Sequence, residues 1–347
     1  MTALLDQTTG AGAASAESVR FTADDRDKIQ DYVTYASSLP TVLQLVKVYV
    51  GSETVGVAGL EPADLRSLFE RIHSNADEWE PAKEAIHRQT TALMLIADRI
   101  VPSGESLIRA IQAMPAYVRA RTTIGDASGA LPHIDIPDER FGPDDLQKRG
   151  LLAGQMASLQ AINREKVGDT EQAMHLLASF RAGIEVLEPV VAGKRLAVKH
   201  LNPERIGNEI TVEPMIAALQ REYERAVQTD SRNAASIAAK KRALDTAIQT
   251  LKSQIDVYRD KQRVTYTMGR LFVHLTQLGT VMLDAEMATG HLWLAWREAG
   301  AALESAAEQF ESIDSNRKLL TFVVEFQVIV NNWKFVQDRA TELSGIF

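Results

Sequence analysis

Two stripes of apolar residues limit what this chain can fold into more than any other feature. Leu177, Phe180, Ile184, Leu187 and Val191 are spaced 3, 4, 3, 4, and Leu244, Ile248, Leu251, Ile255 and Tyr258 are spaced 4, 3, 4, 3. A helix turns once every 3.6 residues, so each set lies on one face and forms the seam of a coiled-coil-like pair. Between the stripes runs "VVAGKRLAVKHLNPERIGNEITVEP" (190–214), broken by Pro203, Gly207 and Pro214. Two seams of one period flanking a turn predict a long antiparallel hairpin, with one limb from Pro143 to Lys199 and the other from near Pro214. Roughly 50 continuous helical residues at ~1.5 Å each would span about 80 Å. Strand signals, meaning alternating β-branched runs between turn dipeptides, are nearly absent. The expected fold class is all-α, an elongated multi-helix bundle carrying this hairpin.

The remaining pieces read as helices too. Thr22 with Asp24 and Asp25 is an N-cap with acidic first-turn residues, suited to the positive end of a helix. That helix should reach Tyr49 or Val50, with Pro40 kinking or breaking it at Leu39. "GSETVGVAG" (51–59) is a connector, and Pro62 opens a second helical stretch that reaches about Thr123 and bends at Pro81, Pro102 and Pro115. Residues 125–145 form a loop dense in Gly, Pro and Asp. Beyond the hairpin, helix continues through 271–296 to about Ile313, and Ser315 starts a last helix to about Leu343. The expected organisation is a disordered lead-in over 1–20, then one elongated helical domain over 21–347. Its tail bundle is 21–180 plus 225–347, and its hairpin tip, or foot, is about 184–218.

Composition narrows the function. The formal charge is −8, and the 38 Lys and Arg residues are spread along the chain, so no basic stripe suits nucleic acid. With no cysteine there can be no disulfide, thiolate metal site or cysteine nucleophile. Residues 1–20 lack the basic start and apolar run of a secretory signal. No stretch reaches ~18 uninterrupted apolar residues. Asp284 and Glu286 interrupt the apolar region 271–296, which reads as a buried helix. Trp293, Trp296, Phe272, Trp333 and Phe335 read as core anchors.

Chemical motifs are scarce. Glu70-Arg-Ile-His73 and Glu84-Ala-Ile-His87 have the spacing of di-iron ligands. They share one stretch, however, and lie about 21 Å apart along it. Glu171 and His175 share a face but are too few for a metal. Phosphate-loop, dinucleotide and nucleophile-elbow motifs are missing. The pairs Asp24-Asp25 and Asp144-Asp145 sit at helix starts, where the macrodipole accounts for them. No catalytic, cofactor-binding or metal residue is expected, and the protein is expected not to be an enzyme.

The tip mixes apolar and basic residues: Val190, Val191, Lys194, Arg195, Leu196, Val198, Lys199, Leu201, Arg205, Ile206, Ile210 and Val212. They fit a miniature core in which Val190, Leu196, Val198, Ile206 and Ile210 cap the hairpin. They equally fit a foot that meets a membrane or a partner, with Lys194, Arg195, Lys199 and Arg205 facing anionic head groups.

Several segments carry a family resemblance. "SLPTVLQLVKVYVGSETVGVAGLEPADLRSLFERIHSNADEW" (38–79), with Leu39-Pro40-Thr41 and Gly59-Leu60-Glu61-Pro62, resembles the A component of xenorhabdolysin-type binary pore-forming toxins. "LLTFVVEFQVIVNNWKFVQDRATELSGIF" (319–347), with Asn332-Trp333-Lys334, is similar to that family's last helix, and "MPAYVRARTTIGDASGA" (114–130) stands in the matching place. The family belongs to the wider haemolysin-E-like class of α-helical toxins. The resemblance implies a soluble subunit, released without a standard signal and cytoplasmic beforehand. It would bind target-membrane lipid and form an oligomer there with a second, B-type subunit, without enzymatic chemistry. The tip departs from the family, being shorter and more charged, with no apolar hairpin able to cross ~30 Å of hydrocarbon. Surface attachment or support of a partner is the role that fits it. The alternative is an elongated helical scaffold or adaptor that never enters a membrane.

Overall fold

The structure, a computed structural model, describes residues 21–126, 138–165, 170–199, 209–229, 233–256 and 263–347, with backbone alone at 123–126, 170, 199, 209–213 and 253–256. The described residues form eleven helices: α1 (Ala23–Ser37), α2 (Leu43–Val50), α3 (Pro62–Asp77), α4 (Trp79–Gln112), α5 (Pro115–Asp126), α6 (Pro143–Asn163), α7 (Thr170–Lys199), α8 (Glu209–Thr229), α9 (Ala234–Asp256), α10 (Arg263–Glu311) and α11 (Asn316–Ile346). The chain is all-α; apart from one isolated bridge between Arg140 and Ser315, the described residues contain no β pairing.

Helix ends follow the expected chemistry. Thr22 and Asp25 form a reciprocal capping box, with Asp25 N–H donating to Thr22 Oγ1 at 3.2 Å and Thr22 N–H to Asp25 Oδ2 at 3.1 Å. Pro40 separates α1 from α2, because it has no N–H and disfavours helical backbone at Leu39. Pro62 and Pro115 open α3 and α5, while Pro102 lies inside α4. Ser315 is the N-cap of α11, as its sequence position suggests.

Both limbs of the expected hairpin are interrupted. The limb drawn from Pro143 to Lys199 is two helices, α6 and α7. The other limb ends at Thr229 and restarts at Ala234, where Asn233 Oδ1 accepts the Ser236 N–H at 3.2 Å as a cap. α8 and α9 then pack on each other antiparallel. Ile216 meets Leu244, Ala247, Ile248 and Leu251, and Tyr223, Ala226 and Val227 meet Ile237. Leu244, Ile248 and Leu251 therefore pack against α8 and against Val273 of α10, while the side chain of Ile255 and all of Tyr258 fall outside the described residues. The α7 stripe, Leu177 to Val191, is buried throughout.

Contacts divide the chain into two units: unit 1 holds the chain to Ala85 with Glu171–Thr289, and unit 2 holds Ile86–Thr170 with Gly290–Gly345. In unit 1 the Tyr32 hydroxyl donates to Asn75 Oδ1 at 2.8 Å, and Asn75 Nδ2 donates to the Phe180 carbonyl at 3.0 Å. Gly183 makes room for that amide, since a Cβ there would collide with Asn75. Beneath it the Trp79 and Phe180 rings lie 5.6 Å apart.

Buried charges also join helices of unit 1. Asp284 of α10 has no exposed surface, accepts from the Tyr223 hydroxyl and pairs with Lys241 of α9. Lys241 reaches Asp25 of α1 at 3.2 Å, and Lys28 bridges Asp25 and Asp245. Burial alone would lower the Lys241 ammonium, but Asp284 and Asp25 outweigh it and hold it above its ordinary range.

Unit 2 is packed on aromatic rings. Phe322 stands 5.1 Å from Phe310 and 5.4 Å from Phe326, and Trp333 is fully buried one helical face further on. A Cβ on Gly104 would come within 2.7 Å of Val330 Cγ2, so α4 and α11 approach as closely as a glycine allows. Asp145, at the start of α6, reaches the start of α5. It accepts from the Ala116 N–H at 3.0 Å and from Arg119 at 2.7 Å. Burial would raise this carboxyl, but Arg119 and that N–H outweigh it and hold it below its usual range. The acidic pair at the helix start is thus partly a tie between helices.

Candidate functional site

The expected contact residues surround the last turns of α7, and the structure sorts them by direction. Val191 and Val198 face inward. Arg195 also turns inward, 5% exposed, with its guanidinium 4.9 Å above the Phe272 ring of α10. That is a cation–π seat in place of the expected head-group contact. Lys194 is half-buried and donates to the Gly59 carbonyl, which ties α7 to the end of the 51–59 connector. Burial lowers its ammonium below the usual lysine range, with Asp64 opposing and Arg71 assisting. Val190 is half-buried, and Leu196 stands out at 53% exposure. Lys199, Ile210 and Val212 lie on described backbone, but their side chains fall outside the described residues, as do Leu201, Arg205 and Ile206 altogether.

Helix α2, read from the sequence only as the end of a kinked first helix, is the feature that reading missed. Leu45 and Val48 on the helix and Val42 at its N-cap are 56%, 73% and 58% exposed. A step of three turns each about 60° from the last, so the three spread over roughly a third of the helix circumference. Of their neighbours, Val46 is fully buried, and Tyr49 packs edge-on against Phe69 of α3. The signal was present in "LQLVKVYV", which is apolar at more positions than one buried stripe can use. The helix ends at Gly51, whose φ of 76° closes it in the left-handed region.

Two contacts locate α2 on unit 1. The Tyr49 hydroxyl lies 2.8 Å from Thr267 Oγ1 in the first turns of α10, and the connector that follows meets Lys194. Glu61 steadies that connector by accepting from the N–H groups of Val55 at 3.1 Å and Gly56 at 2.9 Å. On α8, Met215 is 47% exposed beside the buried Ile216. Leu196 of α7, Met215 of α8 and the residues of α2 are thus exposed apolar side chains of unit 1. Contiguous exposed apolar surface marks interaction sites more often than the same residues scattered singly.

Two of the residues considered for metal chemistry, Glu70 and His73, have ordinary partners. Glu70 pairs with Arg66 at 2.8 Å, and the His73 ring nitrogen meets the Leu39 carbonyl at 2.8 Å. Among the described residues, α11 alone is long and apolar enough to cross a membrane by length and composition. It packs Phe322, Phe326, Val330 and Trp333 inward and leaves Val324 and Val328 exposed.

Fold and site together define an all-α protein that, among the described residues, exposes apolar side chains on α2, α7 and α8 of unit 1. No family model and no curated protein matches the chain. Among solved structures it is similar to YaxA from Yersinia enterocolitica, with 22% identity over 94% of this chain and 97% of that one and a TM-score of 0.47. It is similar to the XaxAB pore complex from Xenorhabdus nematophila at 21% identity, the same coverages and a TM-score of 0.44. The Bacillus cereus HblL1 toxin component is similar at 9% identity over 94% and 98%, with a TM-score of 0.49.

Proposed function

We propose that this chain is a soluble α-helical component of a pore-forming toxin, which attaches to target-membrane lipid through the α7 end of unit 1. There it assembles with a second, B-type subunit into an oligomer, as the names YaxAB and XaxAB pore complex describe for those proteins. Its action is by binding and rearrangement, without enzymatic chemistry, after release from the producing cell.

The observation that carries this reading is the exposure of the apolar side chains Leu196, Met215, Val42, Leu45 and Val48, all in unit 1. The resemblance of residues 38–79 and 319–347 to the toxin family supports it. Attachment is apolar in the main, because Arg195 is seated on Phe272 and Lys194 on a carbonyl, which leaves little cationic surface among the described tip residues. The domain layout expected from the sequence, a tail bundle with a tip over about 184–218, is part of the same proposal.

Flotation of the purified protein with mixed neutral and anionic liposomes, at low and at high salt, tests it. Apolar attachment predicts flotation that survives high salt, because screening weakens ionic contacts alone. Leu196→Asp should lower the bound fraction about tenfold, since burying one leucine is worth roughly 1.5–3 kcal/mol. Absence of flotation at both salt concentrations would reject attachment by this chain.

A further inference from the structure

A second device in unit 1 has no part in the surface just described. His274 of α10 is 5% exposed and stacks on Tyr35 of α1, with ring centroids 5.3 Å apart and tilted by 29°. Tyr32, one turn earlier on α1, packs 6.4 Å away on the same imidazole. The Arg270 guanidinium, four residues back on α10, sits 5.8 Å over the Tyr35 ring. His274 Nε2 and Arg270 Nε are buried, and neither has a hydrogen-bond partner among the described residues, while the Tyr35 hydroxyl is buried beside Thr267 and Tyr49.

The charged groups that act on the imidazole are both cations, Arg270 on its own helix and Lys252 on α9. From α1 it meets two neutral phenols, and burial keeps both from ionising. Glu188 of α7 accepts from Thr276 at 3.1 Å, and Asp25, Asp245 and Asp284 share Lys28 and Lys241. Tyr49 of α2 is bonded to Thr267.

We propose that His274 is an acid-sensitive latch: once protonated it cannot remain stacked between α1 and α10 beside two cations, and α1 is released from α10. Release would separate α1 and the α2 that follows it from α10, whose inward face carries Met268, Leu271, Val273, Leu275 and Leu278. Burial first, then Arg270 and Lys252, lower the imidazole to about 3 from 6.5. The sign follows from linkage. Released imidazole takes up a proton below its ordinary value and the latched one does not, so latching is fully present above pH 6.5 and is lost as pH falls towards 3.

Hydrogen exchange of the α1 amides, run without lipid, tests the latch apart from the membrane reading. Between pH 7.5 and pH 5.0 the protection factors of α1 should fall about 30-fold, the linkage ratio for those two proton affinities. His274→Phe, which keeps the stacked ring and cannot take a proton, should abolish the fall. If that variant does not fold, Arg270→Gln serves instead. Removing a neighbouring cation eases protonation in place, so the fall should shrink. Unchanged protection in the natural protein at pH 5.0, or a full 30-fold fall in either variant, would overturn the proposal.

Discussion

The two units bury different things. Unit 2 is closed by rings and a close helix approach, Phe310, Phe322, Phe326 and Trp333 with Gly104 against Val330; of its buried polar residues, Asp145, Ser315 and Asn316 sit at helix starts, and Thr90, inside α4, bonds carbonyls of its own helix. Unit 1 places polar groups between helices: Asn75 between α1 and α7, Asp284 and Lys241 between α8, α9 and α10, and His274 between α1 and α10. Apolar packing has no partner to lose and one best arrangement. A buried polar contact is stable only while its partner is in place and correctly protonated, so it can be undone by a change of conditions. The polar seams and the exposed Leu196 and Met215 belong to the same unit, the one to which the proposals above assign attachment and release.

The largest effects should separate the units by pH. Lys241→Met leaves Asp284 a buried carboxylate without its cation, a loss of about 3–5 kcal/mol at pH 7. Phe326→Ala opens a cavity in unit 2 at a similar cost, about 3–5 kcal/mol. Urea unfolding across pH should tell them apart. The Lys241→Met penalty shrinks in acid, as Asp284 takes a proton and loses the charge that needed the lysine. The Phe326→Ala penalty stays flat. Equal pH dependence would erase the distinction drawn here.

Glycine substitutions come next in size. Gly104→Ala drives a methyl into Val330 and should cost about 1–3 kcal/mol by overpacking. Gly183→Ala displaces Asn75 and takes the partner from the Tyr32 hydroxyl, also about 1–3 kcal/mol. The two differ in how they are relieved. Combined with Asn75→Ala, the Gly183→Ala cost should be markedly sub-additive, because both act on one network. Thermal unfolding of the three variants checks this.

The smallest effect is expected on α2. Val48→Asp, at a position 73% exposed, should change stability by less than about 0.5 kcal/mol. If it also weakens flotation, stability and attachment have been separated; a large loss of stability would mean that this face is covered.

Much of this fold could be read from the letters, though not evenly. The capping box at Thr22 and the break at Pro40 are local events whose causes lie within a few residues, and each stands where local chemistry puts it; Ser315 opens α11 in the N-cap position without a side-chain cap bond. The α7 stripe reads correctly because a buried face repeats with the helix. The partner of a stripe is another matter. Periodicity says that Leu244, Ile248 and Leu251 are buried but not against which helix, and the Asn233 cap that turns α8 back onto α9 is a single residue. The site was half legible. That basic and apolar residues meet near Leu196 was plain, but not that Arg195 folds inward onto Phe272, a contact made across 77 residues of sequence. The exposed face of α2 was hidden by the same richness in valine and leucine that suggested a buried helix.

The absence of native cysteine allows a direct test of which end meets lipid. Leu196→Cys in unit 1 and Val324→Cys in unit 2, both at exposed apolar positions, can each carry one environment-sensitive fluorophore. Titration with liposomes should shift the emission of the probe at 196 to the blue and leave the probe at 324 unchanged. A shift at 324 alone, or at neither site, would contradict attachment through the α7 end of unit 1.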